Sequence, residues 1–192
     1  MSRAGFILVG GASTRMGRDK AMLPDRGATL VEHIAATVVA AAGNVVLVGN
    51  PEKYSSLGYP VVPDPMDGAG PLAGLCAALT SSDADWNLVL ACDMPGVSAG
   101  FLRALLDAAE RTGADALLPA GPSGRPEPLC AVYHQRSLPV IRQALENGVR
   151  RVLQGLEGLS LKTWQVSNPE YFENCNTPQE WFSVMEDRSP DS

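Results

Sequence analysis

The sequence predicts one α/β domain of three layers, with helices covering both faces of a mostly parallel sheet. Three observations carry this expectation. Short apolar runs alternate with helical segments along most of the chain. The runs are apolar throughout, as strands buried on both faces are, rather than alternating. The length, 192 residues, suffices for one full core and falls short of two.

The elements follow in order. "GFILVG" (5–10) is a short apolar run ended by glycine, hence a buried strand. A glycine-rich loop leads to "TLVEHIAATVVAAAG", where Thr29 and Glu32 have capping-box spacing and Gly43 stands where a helix stops. "NVVLVG" (44–49) and "YPVVPD" (59–64) are the second and third strands. "GPLAGLCAALTS" opens a helix with Pro71 at its first position. "WNLVLACD" (86–93) is the next strand. In "SAGFLRALLDAAERTG", Ser98 can cap, Phe101, Leu102, Leu105, Leu106 and Ala109 share one face, and Gly113 ends the helix. "ADALLPA" and "PLCAVYH" (128–134) are strands, "SLPVIRQALENG" and "RRVLQGLE" helices, and "LKTWQV" a further strand. "TPQEWFSVMED" is a final helix with Thr177 as N-cap, Pro178 at N1 and Glu180 at N3. No repeat or low-complexity linker divides the chain. Residues 1–187 are expected to form the single domain and 188–192, "RSPDS", a disordered tail.

Composition excludes several classes. A net charge of −6 and a pI near 4.9 argue against wholesale binding to nucleic acid or anionic membrane, both of which need a basic surface. Cys76, Cys92, Cys130 and Cys175 form no CxxC pair, and His33 and His134 are the only histidines, so no zinc site is expected. Both histidines read as structural or surface residues. The apolar start is short and is followed by "RMGRDK", a poor fit to a signal peptide. "IAATVVAAAGNVVLVG" is shorter than the ~20 residues of a membrane helix and carries a Gly-Asn turn. A reduced, cytoplasmic protein is the expectation.

Ligands of such sheets bind beyond the carboxyl ends of the strands, so the residues after strands carry the chemistry. After the first strand comes "GGASTRMGRDK". Its glycines let backbone amides approach an anion, and Arg15, Arg18 and Lys20 supply mobile positive charge. Neither GxxxxGK[ST] nor GxGxxG fits it. A solvated basic loop is the alternative. Asp64 ends the third strand, as a ligand or as a turn residue before Pro65. Asp93 follows the fourth strand, and Ser98 leaves it no capping duty. A carboxylate there, beside a phosphate loop, is what Mg²⁺ needs. Together these features point to phosphoryl or nucleotidyl transfer, which depends on positioning, neutralisation and a metal. Lys20 and Arg15 would screen phosphates while Asp93 holds the metal.

"LVGGASTRMGRDKAML" closely resembles the LxGGxSxRMGxDKxxL signature of nucleotidyltransferases acting on molybdenum cofactor. "VVPD" with "GPLAGL", "ACDMP", "GRPEPLCAVY" and "NCNTPQE" follow in the order of the molybdenum cofactor guanylyltransferases, the MobA family, over nearly the whole chain. The resemblance implies a Rossmann-like sheet of the nucleotidyltransferase type. It implies that the terminal phosphate of molybdopterin attacks the α-phosphate of GTP with Mg²⁺ assisting. Pyrophosphate leaves and molybdopterin guanine dinucleotide forms. Leu8, Val9, Gly10 and Gly11 would line the GTP site and Lys20 would contact the phosphates. Asp64 would help hold the nucleoside, and Asp93 would bind metal and nucleotide. Asn50 is carried over from a loosely aligned segment. Asn174 and Asn176 match the segment on the pterin side, and Arg15 matches the RMG element, where leaving-group stabilisation is its expected role.

Val9 stands where alanine is common in the family, and Gln179 replaces a frequent acid. Rival readings are a cytidylyl or sugar-phosphate nucleotidyltransferase of the same fold, and a non-catalytic nucleotide or cofactor carrier. Gly10 with Gly11 favours the guanylyl type over relatives with an "AAG"-like start. Recipient molybdoenzymes or their chaperones are candidate further partners.

Overall fold

The computed structural model describes residues 1–9, 20–22, 24–25, 28–64 and 70–172. In chain order the first half holds β1 (Arg3–Leu8), β2 (Pro24–Asp25), β3 (Ala28–Thr29), α1 (Leu30–Ala42), β4 (Val46–Val48), α2 (Pro51–Tyr54), β5 (Val61–Val62) and α3 (Pro71–Thr80). The second half holds β6 (Trp86–Ala91), α4 (Ala99–Thr112), β7 (Ala116–Ala120), β8 (Cys130–His134), α5 (Leu138–Glu146), α6 (Val152–Gly155) and β9 (Leu161–Gln165). Single 3-10 turns lie at Lys20–Met22 and Pro169–Phe172.

Seven strands form the main sheet in the order β5-β4-β1-β6-β8-β7-β9, and β2 and β3 make a separate hairpin. Six of the seven run parallel. β8 is antiparallel to both neighbours, with Leu90 opposite Cys130 and Ala116 opposite Tyr133. The reason is the length of the 121–129 connection. It is shorter than the dozen or more residues a parallel crossover needs, so the chain returns as a wide hairpin.

Each buried strand feeds both sides of the sheet. Ile7 and Val9 enter the layer under α1 and α4, while Phe6 and Leu8 enter the layer under α3, α5 and α6. Successive side chains point to opposite faces and both faces are dry, which accounts for the continuous apolar runs. Gly5 lies where α1 crosses β1. A Cβ there would stand 2.3 Å from Val38 Cγ1 and 2.8 Å from the Asn44 carbonyl oxygen.

The helix signals acted as read. The Glu32 amide donates to Thr29 Oγ1, and the Thr29 amide donates to Glu32 Oε2 at 2.7 Å. Gly43 closes α1 at φ 87°. Pro71 opens α3, and Ser98 caps α4 by accepting from the Phe101 amide at 3.2 Å. Phe101, Leu102, Leu105, Leu106 and Ala109 are the buried face of α4. The β2–β3 hairpin and the short helix α2 are additions to the sequence reading. The expected helix over 177–187 and the tail 188–192 lie outside the described residues. Cys76, Cys92 and Cys130 form no disulfide among the described residues, and Cys175 lies outside them. Among the described residues, no helix is long and apolar enough to cross a membrane.

Candidate active site

The carboxyl ends of β1, β4, β5 and β6 form one rim, and β8 brings its amino end there. Leu8 and Val9 end β1. Both are buried, and their backbones are tied across the rim. The Val9 amide donates to the Val48 carbonyl at 3.0 Å, and the Leu8 carbonyl accepts from the Cys92 amide at 3.3 Å. The buried Tyr54 hydroxyl donates to the Val9 carbonyl at 2.7 Å. The Val9 amide is therefore committed to the fold, and the Leu8 side chain packs against α3 at Gly74. Gly10, Gly11 and Arg15 lie outside the described residues.

Lys20 opens the 3-10 turn Lys20–Met22. Ala21 within it is fully buried, and the turn packs on α1. The β2–β3 hairpin follows two residues after that turn and feeds straight into the first residue of α1, Leu30. The amino end of α1 is at the rim, since the helix runs back to Gly43 and Asn44, whose Oδ1 accepts from the Gly5 amide at 2.9 Å. The backbone of Lys20 is thus at the same end of the sheet as Asp93.

Asn50 ends β4, and its Oδ1 accepts from the Glu52 amide at 2.9 Å, capping α2. That oxygen has a local structural duty. Asp64 follows β5 by two residues and is half-buried. Asp93 follows β6 by two residues, half-buried, between Cys92 and the buried Met94. Ser98 does the capping of α4, so that task is not Asp93's. Asn174 and Asn176 lie outside the described residues.

One carboxylate at the rim escaped the sequence reading. The Ala91 amide donates to the Leu129 carbonyl at 2.7 Å, extending the β6–β8 ladder. Glu127 lies just before that point, close enough to Asp93 for the two charges to act on one another. Burial holds the Glu127 carboxyl above its usual range, the charge of Asp93 pushes the same way, and Arg125 opposes both. The sequence signal was present in "GRPEPLCAVY". It lacked meaning while β8 was an undirected strand, because only the antiparallel sense brings its amino end to the rim.

The 148–151 segment closes another side. The Leu72 amide donates to the Arg150 carbonyl at 3.4 Å, and a Cβ on Gly70 would lie 3.2 Å from that oxygen. Gly70 has φ 85°, and a side chain there would be strained as well as crowded. The Arg150 guanidinium turns back to the Leu145 and Val149 carbonyls.

The described ion pairs sit elsewhere. Arg3 binds Asp107 and Glu110, Arg136 binds Asp115, and both clusters belong to the amino end of the parallel strands. His134 lies there too, because β8 ends where its neighbours begin. Its Nδ1 accepts from the Arg136 amide at 3.2 Å, and its ring meets Trp86 edge-on at 4.7 Å. The rim therefore collects the half-buried carboxylates Asp64, Asp93 and Glu127, hard oxygen groups suited to a divalent cation.

Residues 5–162 match the family model described as MobA-like NTP transferase domain. A probable molybdenum cofactor guanylyltransferase of a Nostoc species is 34% identical over 91% of this chain and 86% of its own. Its counterpart in Synechococcus elongatus is 35% identical over 96% of this chain and 99% of its own. The crystal structure of molybdopterin-guanine dinucleotide biosynthesis protein A from Archaeoglobus fulgidus superposes with a TM-score of 0.80. It is 28% identical and covers 95% of this chain and 97% of its own.

Proposed function

This chain belongs to the MobA-like NTP transferase family, and on that premise we propose that it transfers a guanylyl group from GTP to molybdopterin. It is a nucleotidyltransferase by family. The observation that carries the guanylyl reading is the agreement of near-full-length relatives at 34% and 35% identity. In the reaction, an oxygen of the terminal phosphate of molybdopterin bonds to the α-phosphorus of GTP. The bond from that phosphorus to the bridging oxygen of the β-phosphate breaks, and pyrophosphate departs with the electron pair. No protein group forms a bond to substrate, which agrees with a rim holding no nucleophile–histidine pair among the described residues.

The chain's own residues divide the work. Leu8 and Val9, where β1 ends, line the GTP site together with Gly10 and Gly11. Lys20 screens the phosphates, and Arg15 stabilises charge on departing pyrophosphate. Asp64 holds the nucleoside, with Asn50 at the base of the same wall. Asn174 and Asn176 serve the pterin side. Asp93 is the metal ligand. Its hard oxygens suit Mg²⁺, and Glu127 beside it is a carboxylate whose charge burial penalises, a penalty a divalent cation offsets. Asp93 and Glu127 would hold Mg²⁺ there, and the ion would supply positive charge against that developing on the phosphates. The reading places the enzyme in the cytoplasm, passing its product to recipient molybdoenzymes or their chaperones.

Incubation of the protein with Mg²⁺, molybdopterin and each of the four nucleoside triphosphates tests the reading. Pyrophosphate release is expected with GTP far above the others. Release with CTP equal to that with GTP overturns the guanylyl assignment. Tight GTP binding with no pyrophosphate under any condition means a carrier.

A further inference from the structure

Arg125 stands exposed at the rim, in the connection between β7 and β8. The guanidinium groups of Arg3, Arg103, Arg136, Arg142 and Arg150 are each held by hydrogen bonds to the fold. Among the described residues none does so for Arg125, whose backbone amide alone is bound, to Ser123 Oγ at 3.4 Å. The chain that carries it is nonetheless tied. The Gly124 amide donates to the Gly121 carbonyl at 2.9 Å, with Gly124 at φ 72°. Pro126 bridges to Ala120 at the end of β7, and the Glu127 amide donates to the Pro119 carbonyl at 2.8 Å. Arg125 and Glu127 flank the bridged Pro126, so alternation sets both on one side of that stretch. In keeping with this, the charge of Arg125 bears on the Glu127 carboxyl, as does that of Asp93.

The strand order gives this position a chemical meaning. Along the rim run β5, β4, β1, β6, β8 and β7. The basic stretch 15–20 follows β1 in the chain, and Asp93 follows β6. Arg125, at the β8–β7 connection, lies on the side of β6 away from β1. In phosphoryl-type transfer the attacking and leaving oxygens stand roughly in line across the phosphorus. With pyrophosphate departing on the β1 side and the acids at β6, attack comes from the β8–β7 side. The attacking oxygen belongs to a phosphate monoester, largely a dianion at neutral pH, and the planar fork of arginine is a matched donor for it.

We propose that Arg125 binds the terminal phosphate of the acceptor and holds its attacking oxygen on the side of Asp93 away from β1. The proposal rests on the nucleotidyl-transfer reading, with the triphosphate over β1.

The test compares Arg125→Ala and Arg125→Lys with the native protein by calorimetric titration with molybdopterin, by separate titration with GTP, and by steady-state kinetics. Arg125→Ala should raise the Kd and KM for molybdopterin roughly ten- to hundredfold, the range for a lost hydrogen-bonded charge contact. The GTP Kd should stay within about twofold. Arg125→Lys should fall between alanine and native, since it keeps the charge and loses the fork. Both variants should melt close to native, because the side chain is exposed. Native molybdopterin affinity in Arg125→Ala overturns the proposal, as does a loss confined to GTP or shared equally by both substrates. The native protein separates this proposal from the reaction itself. If it binds molybdopterin and releases pyrophosphate, and Arg125→Ala matches it, Arg125 has no acceptor role and the transfer reading stands. If it releases no pyrophosphate with any nucleoside triphosphate, the transfer reading fails and the proposal with it.

Discussion

Asp93 illustrates how a side chain can be tested apart from the fold around it. α4 takes its side-chain cap from Ser98, so replacing Asp93 leaves that cap in place. Asp93→Asn should lower pyrophosphate release by about a hundredfold or more, the range for losing one preorganised charge-stabilising group. Its melting temperature should stay close to native, and retained Mg²⁺-dependent turnover would refute its metal role. Arg15→Ala should likewise lower turnover far more than stability, read by the same two assays. Glu127 leads to the opposite stability result. Its carboxyl is held above its usual range, so the ionised form costs stability at neutral pH and the cost disappears as acid protonates it. Glu127→Gln should therefore melt higher than native at pH 7 and lose that advantage near pH 4. Gly5 shows a purely steric demand. Gly5→Ala puts a methyl group against Val38 and the Asn44 carbonyl, and should destabilise by ~1–3 kcal/mol in denaturant titration.

At the scale of elements, the readable features were those written in neighbouring residues. The Thr29–Glu32 box, Gly43, Pro71 and Ser98 each act within one helical turn, and each fell where expected. Thr29→Ala removes one half of that box. It should cost about 1 kcal/mol, a fall of roughly 2–4 °C in melting temperature for a chain of this size. The β2–β3 hairpin pairs only two residues per strand, too few to leave a periodic trace. α2 has one turn, too short to leave a periodic trace, and its cap, Asn50, entered the sequence reading only through a loosely aligned family segment. The direction of β8 could have been inferred from the short 121–129 connection. Without it, Glu127 had no location and His134 no end of the sheet.

Over the whole molecule, charge is segregated by function. The guanidinium–carboxylate clusters around Arg3 and Arg136 brace the amino end of the parallel strands, opposite the candidate site. Their acids, Glu110 and Asp115, are held below the usual carboxylate range by those guanidinium groups. The stability they contribute is complete above the ordinary carboxylate values and is lost in stronger acid. His134 acts in a separate window. Burial, then Arg136, holds its imidazole below the ordinary 6.5, so the folded protein favours the neutral ring. Its contribution is complete above that value and declines as pH falls below it. Melting curves from pH 7.5 to 5.5 should show the native protein losing more stability than His134→Gln, and parallel slopes would exclude the effect. The mostly parallel sheet and its two-sided core were legible because dryness on both faces leaves continuous apolar runs, whereas the strand order was not. The candidate site was read as a set of strand-end residues, and bringing Asp64, Asp93 and Glu127 to one rim required the topology.

The reversed strand has a bearing on how such a scaffold can vary. A loop entering the rim from a strand's start, with its other end pinned by the Ala120–Pro126 bridge, is a hinged panel between two fixed jambs. Insertions or swaps along 121–126 would reshape the β7 side of the rim while leaving Glu127 in place. Chimeras exchanging that stretch among relatives should accordingly trade acceptor preference and keep their choice of base.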